Sequence, residues 1–310
     1  MDRTDVNWRG YIPAITTPFD ADGALDLAAF EKQLGWLIEQ GMHGIILAGT
    51  TGEWFSMTPA ERAELFAAGG KLAPADLPVI GGCNGYTAQE VISHARAAEA
   101  AGLAGILVTP PPYVVPNRRE LVQFYRDVSD AVDLPICVYN WPRGCGVDMS
   151  PDLLAELAEL DKVVAIKNST GDFGAFLAGL YALSDRVRYF GVPTSPLGAD
   201  LASLGRGDGL MGSGAPLGAD HPGFWEAVWR GDRDRAVELG ARDRVIMQRW
   251  FTPDYGARFG NAQAIMKTAL RLQGVPAGYV RRPLLELTAD EVAIVEATLR
   301  ELGIETRPLA

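Results

Sequence analysis

Eight short apolar runs, each followed by an amphipathic stretch about as long as one crossover helix, restrict this chain more than any single motif does. The runs cover residues 11–18, 44–49, 78–83, 105–109, 135–139, 163–167, 187–191 and 209–212. Helical patterns separate them over 25–40, 59–72, 88–101, 119–132, 151–160, 173–183 and 197–204. A parallel strand buried on both faces reads as an uninterrupted apolar run, and its crossover reads as an amphipathic helix. Helix starts carry their own signals. Thr58-Pro59-Ala60-Glu61, Thr87-Ala88-Gln89-Glu90 and Thr288-Ala289-Asp290-Glu291 have the form of capping boxes, and Ser150-Pro151 pairs an N-cap with proline at the first helical position. A doubly wound sheet would carry a glycine fingerprint after its first strand, and no G-x-G-x-x-G follows Ile12 to Thr16. The expected fold is therefore an α/β (β/α)8 TIM barrel with a C-terminal helical extension. Residues 1–224 would form the barrel, and residues 225–310 its last helix and the extension, with helical patterns over 223–250, 262–273 and 288–302.

Charge and composition exclude several classes of function. A formal net charge of -11 provides no basic face for phosphates, so nucleic acid is not an expected partner. No apolar run is long enough to span a bilayer, and Met1-Asp2-Arg3-Thr4-Asp5 opens no signal-peptide core; the expectations are no membrane partner and a cytoplasmic location. Cys83, Cys137 and Cys145 are odd in number and two lie in apolar runs, which fits buried free thiols. His43, His94 and His221 are far apart and show no ligand spacing, so no metal site is expected.

Barrel sites lie where strands end, and four endings carry chemistry. The sixth run, Val163 to Ile166, ends in Lys167, in a chain whose cations are otherwise nearly all arginine and which has five lysines. Lysine is rarely buried without a partner; a desolvated one can lose its proton near neutral pH and act as an amine nucleophile, which arginine cannot do. A lysine merely solvated at a strand end is the other reading of this segment alone. The second run ends in Gly49-Thr50-Thr51-Gly52-Glu53, whose N–H groups and hydroxyls suit a small carboxylate, and which has no P-loop lysine. The fourth ends in Thr109-Pro110-Pro111-Pro112-Tyr113, and the fifth in Tyr139-Asn140-Trp141-Pro142. An amine, a phenol for proton transfer and a carboxylate cradle together describe Schiff-base chemistry on a 2-oxo acid.

Three segments resemble the signatures of the dihydrodipicolinate synthase and N-acetylneuraminate lyase family: Gly49 to Glu53, Tyr139-Asn140-x-Pro142 with Gly146 beyond it, and Ile166 to Asp172. The likeness extends to the opening Tyr11 to Phe19 and to Val280-Arg281-Arg282-Pro283-Leu284, and so spans nearly the whole chain. It implies a class I lyase or aldolase, commonly a homotetramer or dimer of dimers, that binds pyruvate or another 2-oxo acid as a lysine imine and uses no metal or organic cofactor. By this resemblance Lys167 forms the imine, Tyr139 relays protons, and Thr50 and Thr51 hold the carboxylate and the hydroxyl relay, with Gly49 opening their turn. Tyr113 matches the tyrosine that members lend to a neighbouring subunit. Gly191 and Met211 fall where the bound keto acid is contacted.

Departures from the pattern bear on the second substrate, an aldehyde. In dihydrodipicolinate synthases an arginine two places after the Tyr-Asn-x-Pro proline grips that substrate's carboxylate; here the place is Gly144, and Arg143 stands one residue early. The segment Phe190 to Ser195 lacks the acidic pair of sialic-acid lyases. Trp54, Trp141, Val114, Val115, Pro193 and Met211 suggest a partly apolar acceptor site, or alternatively subunit contacts and rim packing. The expected activity is cleavage or formation of a C–C bond in a 4-hydroxy-2-oxo acid, or dehydration of a 2-keto-3-deoxy acid. The alternatives are an authentic 4-hydroxy-tetrahydrodipicolinate synthase that uses Arg143, and a non-catalytic pyruvate-binding regulator.

Overall fold

The computed structural model describes residues 1–309; Ala310, the last residue of the expected extension, lies outside them. Eight strands follow one another in parallel: β1 (Gly10–Tyr11), β2 (Ile45–Leu47), β3 (Val79–Gly82), β4 (Gly105–Val108), β5 (Ile136–Asn140), β6 (Val163–Asn168), β7 (Arg188–Phe190) and β8 (Gly209–Leu210). From β2 to β8 each strand pairs with its sequence neighbours, and β1 pairs with β8. Ala14 closes the ring by bridging Ile46 on one side and Ser213 on the other. The first run, expected as a strand over 11–18, is regular only at its start. Pro13 brings no N–H to the ladder, and its carbonyl accepts from Ile46 N (2.8 Å). The fold is a (β/α)8 barrel with added C-terminal helices.

The helices are α1 (Leu27–Glu39), α2 (Pro59–Leu72), α3 (Ala88–Ala100), α4 (Arg118–Ala131), α5 (Pro142–Cys145), α6 (Pro151–Ala158), α7 (Phe173–Leu183), α8 (Pro196–Ser203), α9 (Asp220–Trp229), α10 (Arg233–Trp250), α11 (Ala262–Leu272) and α12 (Ala289–Glu301). Thr58 and Thr288 form the expected capping boxes, and Asn117 with Glu120 forms another. Thr87 caps α3, but the Glu90 carboxylate takes Tyr86 N rather than closing the box. The single helix expected over 223–250 is two, broken where Gly231 takes φ +74° and Asp232 caps α10. Residue 224 lies inside α9, which packs on β1. The one-turn α5 was not foreseen.

Two layers of core position the site. Inside the ring, Trp8, Ile12, Ile46, Ile80, Leu107, Cys137 and Phe190 fill the barrel below its C-terminal mouth. Outside it, Leu47, Val108, Val138 and Ile166 face the helices. A third cluster of Ile246, Trp250, Ile265, Met266 and Leu299 joins α10, α11 and α12. Each fully buried aliphatic side chain contributes about 1.5–3 kcal/mol relative to exposure, so this cluster gives the extension an apolar core of its own. No helix among the described residues is long and apolar enough to cross a membrane.

Candidate active site

β5 and β6 bring two of the expected residues together at the mouth. Tyr139 and Lys167 are register partners, and Lys167 Nζ lies 4.2 Å from the centroid of the Tyr139 ring. A bulge sets this pairing: Ile136 pairs with Val163, but Cys137 pairs with Ala165, so Val164 is an extra residue in β6. Ala165 then faces the barrel interior, Ile166 faces outward and Lys167 faces inward again.

Lys167 is 7% exposed, and among the described residues no carboxylate pairs with it. Burial lowers its pKa from 10.5 to about 8, against a smaller upward pull from Cys137. Burial also drives the Tyr139 phenol upward, partly opposed by a hydrogen bond with Ser169. The amine is thus accessible as a nucleophile near neutral pH, and the phenol beside it keeps its proton.

An amide and hydroxyl network locks the ends of these strands. Asn140 Nδ2 donates to Asp148 Oδ1 (2.8 Å) and Asn168 Oδ1 (3.0 Å), and Asn168 Nδ2 donates to the Tyr189 phenol (2.8 Å). Thr170 Oγ1 donates to Asp148 Oδ2 (2.7 Å). The asparagines and threonine that flank the reactive residues in sequence therefore hold β5, β6 and β7 in register.

The Gly49 to Glu53 turn is fixed from both ends. Ala48 and Glu53 adopt positive φ (+48° and +57°), and a β-carbon at Gly52 would lie 3.0 Å from Ile15 O. Glu53 is fully buried and forms an ion pair with Lys267 of α11 (2.5 Å), whose Nζ also donates to Tyr279 O (2.6 Å). Gln263, also from α11, donates to Thr50 O (3.0 Å), and Thr51 Oγ1 lies 2.9 Å from Ser213 Oγ. The C-terminal extension is part of the site's framework.

These groups open into a cavity of about 190 Å³. Lys167, Tyr139, Thr50, Thr51 and Met211 line it, and so do Trp141 and Pro193 of the suggested apolar acceptor residues. Trp54, Val114 and Val115 do not: Trp54 packs near Arg62 and Tyr86, and the valines are exposed. Gly49 and Gly191 are not among the lining residues; Gly191 takes φ +127°, and its N–H is spent on Gly209 O. Tyr113 is 92% exposed at φ +76°, outside the cavity. Arg143 points away from it, bonded to Asp254 Oδ2 (2.5 Å). Several lining residues were not foreseen: Tyr11, Ser213, His221, Asp243, Tyr255 and Gln263. They come from six separate places in the sequence, and no local pattern gathers them.

Cys83, Cys137 and Cys145 are free and buried, as expected. Among the described residues, no group of three or more His, Cys, Asp or Glu side chains is placed to hold a metal ion.

Comparison with known proteins agrees with this architecture. A sequence model of the dihydrodipicolinate synthetase family matches residues 7–302. The chain is 30% identical to a DapA-like lyase of Rhizobium meliloti over 98% of both chains. It is 33% identical to the 4-hydroxy-tetrahydrodipicolinate synthase of Acidothermus cellulolyticus, over 94% of this chain and 92% of that one. A putative dihydrodipicolinate synthetase from Pseudomonas aeruginosa superposes with a TM-score of 0.84 at 29% identity, over 96% of this chain and all of the other. The dihydrodipicolinate synthase of Acinetobacter baumannii, solved with pyruvate, gives 0.81 at 27% identity over 96% and 99%. With a family match over nearly its whole length and relatives that align from end to end, this chain belongs to the dihydrodipicolinate synthetase family.

Proposed function

We propose that this protein is a class I lyase that takes a 2-oxo acid as an imine on Lys167. The observation that carries the reading is a buried lysine with no carboxylate partner among the described residues, its pKa lowered to about 8, facing Tyr139 across two paired strands. At pH 7 a group with that pKa is roughly one-tenth free amine, against less than a thousandth for an ordinary lysine.

Lys167 Nζ attacks C2 of the keto acid, and the carbinolamine loses water to give a protonated imine. In the cleavage direction the C4 hydroxyl gives up its proton, the C3–C4 bond breaks with its electron pair entering the enamine, and an aldehyde leaves. Protonation at C3 and hydrolysis release pyruvate and restore the amine. Tyr139 handles the protons, Thr50 and Thr51 receive the carboxylate and relay, and Met211 packs against the three-carbon unit. Dehydration of a 2-keto-3-deoxy acid would start from the same imine.

In this reading the reaction uses no cofactor other than the substrate's own imine. The active form is a cytoplasmic homotetramer in which Tyr113 serves a neighbouring subunit, and its exposure on a single chain is in keeping with that role. Residues 1–224 form the catalytic barrel, with the remainder bracing the Thr50-Thr51 turn. Incubation with pyruvate and borohydride tests the assignment. A mass increase on the peptide containing Lys167 is expected; no adduct, or one on another lysine, removes it.

A further inference from the structure

The cavity's lining includes an acidic group that the proposed imine chemistry does not use. Asp243, on α10, is the only carboxylate among the described lining residues, and Lys167 is the only lysine or arginine. Two groups hold Asp243 in place. His221 Nε2 lies 3.1 Å from its Oδ1, and Thr194 Oγ1, from the segment after β7, donates to its Oδ2. Among the described residues His221 has no competing side-chain partner: its Nδ1 is buried and unpaired, and its ring lies flat on Tyr11, with centroids 4.2 Å apart and planes within 4°.

An ionised carboxylate offers about four acceptor positions, and these contacts occupy two. The side chain is 16% exposed, so the remaining positions can meet a ligand in the cavity. Hydroxyl groups donate to such an acceptor. A second carboxylate on the ligand would instead be repelled, with no second lysine or arginine among the described lining residues to offset it, because Arg143 is bonded to Asp254 outside. α10 and the residues after it also bring Ile246, Met247, Phe251 and Met266 to the lining, which suits a short carbon chain bearing hydroxyls.

We infer that Asp243, oriented by His221 and Thr194, is a specificity-determining residue that selects 2-oxo acids hydroxylated beyond C4 and rejects those carrying a second acid group. The inference rests on the Lys167 imine and names the class of substrate it serves. It supplies from α10 an acidic group that the segment after β7 lacks.

Borohydride trapping with non-reacting acids tests it without turnover. The probes are 2-oxohexanoate, 5,6-dihydroxy-2-oxohexanoate and 2-oxoadipate. None has a C4 hydroxyl, so none can be cleaved or dehydrated once bound as the imine. In the wild-type protein the dihydroxy acid should half-saturate trapping at about one-tenth the concentration of 2-oxohexanoate, and 2-oxoadipate should be the weakest. Asp243→Asn should let 2-oxoadipate in, and Asp243→Ala should bring the hydroxylated and plain acids within about threefold of each other, while pyruvate still traps on Lys167. Equal trapping of all three acids by the wild type overturns the inference even if both variants misfold. A hydroxyl preference that survives in folded Asp243→Ala overturns it too, as does a uniform loss for every acid, which would mark a merely structural role. Absence of any pyruvate adduct in the wild type would instead remove the imine reading, and this inference with it.

Discussion

The indole of Trp141 fills the space that a side chain at position 144 would need: a β-carbon on Gly144 would lie 2.2 Å from Trp141 Nε1 and 2.3 Å from its Cδ1. Trp141 in turn stacks on Tyr139, with ring centroids 5.8 Å apart. Position 144, where the resemblance places a carboxylate-gripping arginine, thus has no room for a side chain while the indole lies over the α5 turn. Gly144→Ala should cost about 1–3 kcal/mol by overpacking. The cost should disappear in a Trp141→Gly background, and a double-mutant cycle in urea checks this. An undiminished cost in that background would mean that the indole is not the obstacle.

Lys167→Met should abolish pyruvate trapping and stabilise the protein. The folded-state pKa is depressed from 10.5 to about 8, so below pH 8 the folded chain carries the full cost of a desolvated ammonium, and this cost fades as the pH rises towards 10.5. The gain should therefore be largest below pH 8, at roughly 3 kcal/mol, and vanish near pH 10.5. Chemical denaturation of both proteins at pH 7 and pH 10.5 measures it; a gain independent of pH would place its origin elsewhere.

The same depression sets the rate at which the imine forms. Only the free amine attacks, so the rate of adduct formation at low pyruvate should rise about tenfold per pH unit below the pKa and level off above about pH 8. Trapping time courses between pH 6 and pH 10 give the midpoint. A midpoint near 10.5 would mean that burial does not control this lysine.

The Glu53–Lys267 pair joins the Thr50-Thr51 turn to α11, and both side chains are fully buried. Lys267→Met alone leaves a carboxylate without its partner and should cost about 3–5 kcal/mol. Glu53→Gln combined with Lys267→Met should recover much of that loss. Urea unfolding reports the stability, and the pyruvate concentration that half-saturates trapping reports whether the turn has shifted.

Arg143 tests the synthase alternative. Its partner Asp254 is exposed, so Arg143→Ala should barely change the thermal midpoint. It should also leave pyruvate trapping unaltered, because the guanidinium lies outside the cavity. Condensation of pyruvate with aspartate semialdehyde, coupled to a reductase, should be weak in the wild type. Strong condensation that Arg143→Ala abolishes would establish the synthase reading instead.

Much of this architecture is written locally. Apolar runs of strand length and the helix starts at Thr58, Ser150 and Thr288 depend on neighbouring residues alone, so the sequence determined the eight strands, most of the helices between them and the barrel they build, though not α5 or the break between α9 and α10. It also marked Lys167 as a cation in the wrong company. The facing of Lys167 was decided elsewhere. Val163 to Ile166 is apolar throughout, and in a strand of that kind periodicity cannot say which side chains point inward. The extra residue at Val164 changes the alternation by one and turns Lys167 towards Tyr139.

The acceptor end was less legible still. Asp243, His221 and Thr194 belong to separate segments, each ordinary in its own stretch of chain, and they meet because α10 packs against α8 and α9. Arg143 shows the converse. Adjacent residues could have exchanged duties on a loop, but the α5 turn directs its side chain to Asp254, and Trp141 leaves no room for one at position 144. Local sequence therefore determined the barrel and its reactive lysine, because those depend on short-range pattern. The tertiary structure alone decided what surrounds that lysine, because a bulge, a one-turn helix and two helices far along the chain set the walls of the cavity.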